Sequence, residues 1–154
     1  MGLVPNVLTK ARVDIRTGQR VVLAASIVTN DGSPTLSTAT FHVPGDDDGA
    51  YVVPEGARLV LTGVSGRGGT VLGDYFELAE IGVSGATGTV FTFVPTATTP
   101  SVISQAGGGV NYWTVAEPLM VAVGAGEALH FAVERARAAN ASFTVILTGY
   151  LVDA

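Results

Sequence analysis

The side chains able to do acid–base, nucleophilic or metal chemistry are few and scattered. The 154 residues hold two histidines, His42 and His130, and no cysteine. Both histidines fall inside stretches that alternate like β-strands, where an imidazole is usually a packed or surface group. They lack the HxH or HExxH spacing that turns two imidazoles onto one metal. No GxSxG elbow offers a serine nucleophile. Glu77 and Glu80 are the close carboxylate pair outside the Asp46–Asp48 loop. On a helix they would share a face; on a strand they point to opposite sides. In the strand reading they cannot converge across a sugar at the roughly 5–9.5 Å that glycosidases use. Gly45-Asp46-Asp47-Asp48-Gly49 places three carboxylates together, but the alternate spacing and distal glutamate of an EF-hand loop are missing, and adjacent residues rarely point into one cage. A solvated loop is the reading. The inventory therefore predicts no catalysis, no cofactor and no metal.

Bulk properties narrow the class. The length suits about one domain with a real core. Charged residues are 14% of the chain, against about 25% in an average soluble protein. Mean hydropathy is +0.45, yet no run of about 18 apolar residues suggests a transmembrane helix, so no membrane role is expected. So few charges cannot coat a whole monomer surface, which predicts burial against copies of the chain or another protein. The net charge of −5 argues against nucleic-acid binding, which needs a positive field. Without cysteine there is no disulfide framework. The first residues show neither a secretory signal nor the MGxxxS/T pattern of myristoylation, because position 6 is Asn.

The elements follow from period-two alternation and turn signals. Residues 1–10 form an arm with Leu3, Val4, Val7 and Leu8 around Pro5; the proline disfavours helix and ladder pairing. Ordering such an arm costs about 1–2 kcal/mol of backbone entropy per residue. Burying its apolar side chains at roughly 1.5–3 kcal/mol each offsets part of that, so the arm is expected to dock onto a neighbour. Residues 11–154 read as one domain. Residues 11–29 give a hairpin whose second strand, RVVLAASIVT, looks buried on both faces. Strands follow over 35–44, 50–53 and 57–66, with Arg67-Gly68-Gly69 read as a loop. Residues 75–83 read as a strand rather than a short helix. A strand over 87–96 leads to a connector over 97–105 with room for a short edge strand. Val110–Ala116 carries Tyr112 and Trp113, which must point to opposite sheet faces, one core and one surface. Glu117-Pro118 breaks that run before a short strand over 118–123, and another strand spans 128–135.

The clearest strand is the last, ASFTVILTGYLVD over 141–153. Phe143, Val145, Leu147 and Leu151 fall on one face, as for a central strand of a sandwich. Ile146, Tyr150 and Val152 make the other face more apolar than solvent requires. These three, with Tyr112 and Trp113, are the subunit-interface candidates. About ten strands with turns every 8–12 residues and no convincing helix predict an all-β, jelly-roll-like antiparallel β-sandwich with an N-terminal arm and hairpin.

Two stretches, YVVPEGARLVLTGVSG at 51–66 and GAGEALHFAVERARAANASFTVILTGYLVD at 124–153, resemble small bacterial and phage jelly-roll proteins with a V-P-x-G-x-R-L-V opening strand and an S-G-Y-L-V-D-like closing strand. The resemblance covers residues 50–153. With the sparse charge, the apolar arm and no export signal, the chain resembles the decoration (cement) proteins of tailed-phage heads. The resemblance implies a structural virion protein, a homotrimer on the outer shell whose partner is the major capsid protein, reached through Leu3, Val4, Pro5, Val7 and Leu8 of the arm. A carbohydrate- or receptor-binding jelly roll, as at a fibre tip, is the alternative. It predicts exposed aromatics, with Tyr51, Tyr75, Tyr112 and Trp113 as candidates.

Overall fold

The computed structural model describes residues 17–30, 32–46, 49–84, 89–93, 95–103 and 109–154. The arm with Leu3, Val4, Pro5, Val7 and Leu8, the first limb of the hairpin over 11–16, and Asp47 and Asp48 lie outside the described residues. Among the described residues, nine strands run β1 (Arg20–Thr29), β2 (Leu36–Thr40), β3 (Ala57–Val71), β4 (Phe76–Ser84), β5 (Thr89–Phe93), β6 (Thr96–Ile103), β7 (Gly109–Val123), β8 (Ala128–Arg135) and β9 (Ala141–Asp153). They form a five-stranded sheet, β1-β9-β3-β7-β6, and a four-stranded sheet, β2-β8-β4-β5.

The pairing is concentric. The first strand pairs with the last, β2 with β8, β3 with β7, and β4 with β5, all antiparallel. Successive pairs alternate between the two sheets. That is one long hairpin rolled over on itself, the jelly-roll arrangement. β6 is added as an edge strand beside β7. The last strand, β9, lies between β1 and β3, so the alternating stretch at 141–153 is indeed central.

The core fills the space between the sheets. Phe76 and Phe143 meet edge to face with ring centroids 4.9 Å apart, and Phe131 lies 5.8 Å from Phe143. Two glycines of β3 make room for the Phe143 ring. A Cβ on Gly68 would overlap that ring and the Ser142 carbonyl, and a Cβ on Gly66 would stand 2.8 Å from the Thr144 carbonyl. An aromatic laid over a cross-strand glycine recovers packing that glycine forfeits. For this reason Arg67-Gly68-Gly69 is not a loop: β3 runs on to Val71.

Three other expectations change. β1 is buried on one face only, with the pattern eBiBiBeBeB, and Val28 is 80% exposed. Pro118 does not end a strand. β7 continues through it, with register shifts against β3 between Leu61 and Gly63. The described pairs with β6 reach no further than Thr114, so Pro118 sits where only β3 is alongside and one N–H is dispensable. The same irregularity places an extra residue, Thr62, in β3 opposite β9. A bulge of one residue reverses the alternation. Val64, which unbroken alternation from Leu59 and Leu61 would turn to the opposite face, therefore joins them in the core.

One end of the sandwich is tied by buried polar groups. Arg135 is 1% exposed, and its guanidinium donates to the carbonyls of Pro34 and Ala139. Asp74, equally buried, accepts the backbone N–H groups of Tyr75 and Arg137 at 2.9 Å each. These bonds hold together the β1–β2, β3–β4 and β8–β9 connections.

Candidate functional site

Cross-strand partners point to the same side of a sheet, so the registers fix what each outer face carries. On the five-stranded sheet, one outward row is Arg20, Tyr150, Val60 and Ala122. The next row is Val22, Thr148, Gly63 and Pro118, and after it comes Ala24, Ile146, Ser65 and Ala116. Beyond it come Ser26, Thr144, Arg67 and Thr114, then Val28, Ser142, Gly69 and Tyr112. Val152 pairs with Arg58 at the opposite end. Ile146, Tyr150, Val152 and Tyr112 thus share one surface. Tyr150 and Tyr112 are 47% and 46% exposed, Ile146 is exposed at 38%, and Val152 is half-buried.

Trp113 is on the other side, as opposite sheet faces require. Its ring packs edge to face on Phe76, with centroids 5.9 Å apart. Its Nε1–H donates to Thr70 Oγ1 at 2.9 Å, and Thr70 Oγ1 in turn donates to the Asp74 carbonyl. Of the two neighbouring aromatics, Tyr112 is the surface residue and Trp113 the core-side one. Period two separated them in the sequence; only the register against β3 tells which faces out.

A depression of about 670 Å³ lies at the Tyr112 end of this face, bordered by Val28, Arg67, Tyr112, Ser142 and Thr144. It exists because Gly69 occupies an outward position between Ser142 and Tyr112 and supplies no side chain. Further along β7, Met120 stands 87% exposed at the bulge.

The remaining chemical candidates are not gathered. His130 lies on the outer side of the four-stranded sheet, with its ring over Gly82 of β4, leaving no room for a Cβ there. His42 bridges Ala24 by a pair of backbone hydrogen bonds of 2.9 and 3.0 Å. Glu77 sits at a bulge of β4 and Glu80 on the outer side of that strand. Tyr51 and Tyr75, weighed as exposed aromatics, divide: Tyr75 is 48% exposed, while Tyr51 packs against the core with its hydroxyl buried. Burial pushes the Tyr51 phenol above its ordinary value of 10.0. Among the described residues, no group of three His, Asp or Glu is placed to hold a metal ion. The feature that gathers residues with a shared property is therefore the outer face of the five-stranded sheet. Comparison by sequence adds no family: no protein-family model matches the chain, and no curated protein does.

Proposed function

We propose that this chain is a structural virion protein: a capsid decoration, or cement, protein that binds the outer shell of a phage head as a homo-oligomer and catalyses nothing. The observation that carries the reading is the outer face of the five-stranded sheet. Val28, Tyr112, Ile146 and Tyr150 stand exposed on it among short neutral side chains and the arginines Arg20, Arg58 and Arg67. Five strands about 4.8 Å apart, crossed by a 13-residue β9 rising about 3.3 Å per residue, give a face of roughly 19 by 43 Å. That is on the order of the 800 Å² each partner contributes to a standard interface. The chain's 14% of charged residues points the same way. The proposed partners are other copies, three in the assembly that the sequence resemblance implies, and the major capsid protein. The proposed location is the virion.

The test is mass in solution together with analysis of purified particles. The expected results are an oligomer and a virion preparation holding this chain at high copy number. A monomer absent from particles sinks the reading.

The depression beside Tyr112 favours one alternative, a carbohydrate- or receptor-binding jelly roll. Tyr112 supplies an aromatic edge, Arg67 a cation, and Ser142 and Thr144 hydroxyls. Glycan-array binding abolished by Tyr112→Ala, with folding intact, would establish it. Trp113 also borders the depression, but Trp113→Ala would remove its packing on Phe76 as well, so Tyr112→Ala is the cleaner test.

A further inference from the structure

The charges on the two outer faces are segregated by sign. Outward positions of the five-stranded sheet carry Arg20, Arg58 and Arg67, all exposed. The two acids of those strands, Glu117 and Asp153, are also exposed, but their registers set them across from the inward Val64 and Ala57 rather than in the outward rows. The four-stranded sheet has the opposite character. Glu134 and Glu80 occupy its outer rows, Leu36–Glu134–Leu78 and Thr38–Ala132–Glu80–Thr92, and Glu77 is exposed at the β4 bulge. No Lys or Arg lies on the described outer positions of that sheet. Each face also presents large apolar groups beside its charges: Tyr150 and Ile146 near the arginines, Leu36 and Leu78 on either side of Glu134.

We propose that copies of this chain associate head to tail, the arginine-bearing face of one against the glutamate-bearing face of the next. The inference rests on the self-association proposed above and specifies which surfaces meet. A two-fold contact of either face with itself would set like charges together across a partly desolvated interface, which is unfavourable. A heterologous contact pairs Arg20, Arg58 and Arg67 with Glu77, Glu80 and Glu134 and buries the leucines against the tyrosines. Heterologous contacts through opposite sides of a molecule, as the outer faces of one sandwich are, run on as an open stack; a ring of three needs its two contact surfaces set at an acute angle.

Charge exchange tests this in solution, without the capsid. Glu77→Arg/Glu134→Arg makes both faces positive, and Arg20→Glu/Arg58→Glu makes the second face largely negative. All four positions are exposed, so both variants should fold, which circular dichroism checks. Each variant alone should associate at least about tenfold more weakly than the unmodified chain, and an equimolar mixture should recover association in assemblies containing both. Association of the unmodified chain should weaken between about 0.1 and about 1 M salt, as the Debye length falls from about 10 to about 3 Å. An open series of sizes agrees with the proposal, whereas a closed trimer overturns this contact and leaves the virion reading standing. Variants that assemble alone as well as the parent, or a mixture that recovers nothing, overturn it. A monomeric chain that still decorates particles overturns this contact but leaves the virion reading standing.

Discussion

The Tyr51 hydroxyl is buried with no hydrogen-bond partner among the described residues, and its burial makes ionising it in the folded protein unfavourable. Its folded value is raised above 10.0. The neutral phenol's contribution is therefore intact below about pH 10 and is lost as pH climbs from there through the raised folded value. Tyr51→Phe should flatten the alkaline part of the stability profile, read as a smaller drop in urea midpoint between about pH 9 and 11. At neutral pH the same change should be neutral or stabilising within about 1 kcal/mol, since it removes an unsatisfied group. Arg135 predicts the reverse. Arg135→Met strips donors from the Pro34 and Ala139 carbonyls and should cost about 2–5 kcal/mol in chemical denaturation. No sequence pattern separates this arginine from its solvated neighbour Arg137; its role comes from an inward position on β8 and from loops that are distant in the chain.

Among the strands, β3 has the most to explain. Arg67-Gly68-Gly69 reads as a loop because nothing local marks Gly68 as the bed for a ring some 75 residues later, whereas β9 announces itself through Phe143, Val145, Leu147 and Leu151 on one face. Gly68→Ala should therefore destabilise by about 1–3 kcal/mol in urea unfolding, as overpacking does. Ser65→Ala, on the exposed side of the same strand, should change stability by less than about 0.5 kcal/mol. Wherever alternation was unbroken, as in β8 and β9, the sequence revealed strand and face together. Where a bulge intervened, at Thr62 and again between Pro118 and Val121, the strand ran on and the face was reversed or the break was misplaced. The outward positions of Ile146, Tyr150 and Val152 on β9 were legible for the same reason, and the sorting of arginines from glutamates was not. That sorting depends on which sheet each strand enters, which is a property of the rolled topology rather than of any one stretch.

At the scale of the molecule, the arm and the sandwich make separable predictions. Deleting residues 1–10 should leave a folded domain that no longer attaches to particles, measured by cosedimentation with capsids lacking the protein; undiminished attachment would remove the arm from the mechanism. Removing β9 should instead abolish cooperative unfolding altogether, because that strand pairs with both β1 and β3 and carries Phe143, Val145, Leu147 and Leu151 into the core. The concentric pairing also has a consequence in time. The contact between β1 and β9 joins parts of the chain synthesised more than a hundred residues apart, so the five-stranded sheet cannot close while the ribosome is still adding β9. Such long-range pairing folds slowly. The surface that gathers Arg20, Tyr150 and Ile146 is then absent from any nascent or prematurely ended chain. Under the proposed contact, only a copy whose β9 has been made could join another, which would spare shorter nascent chains from capture.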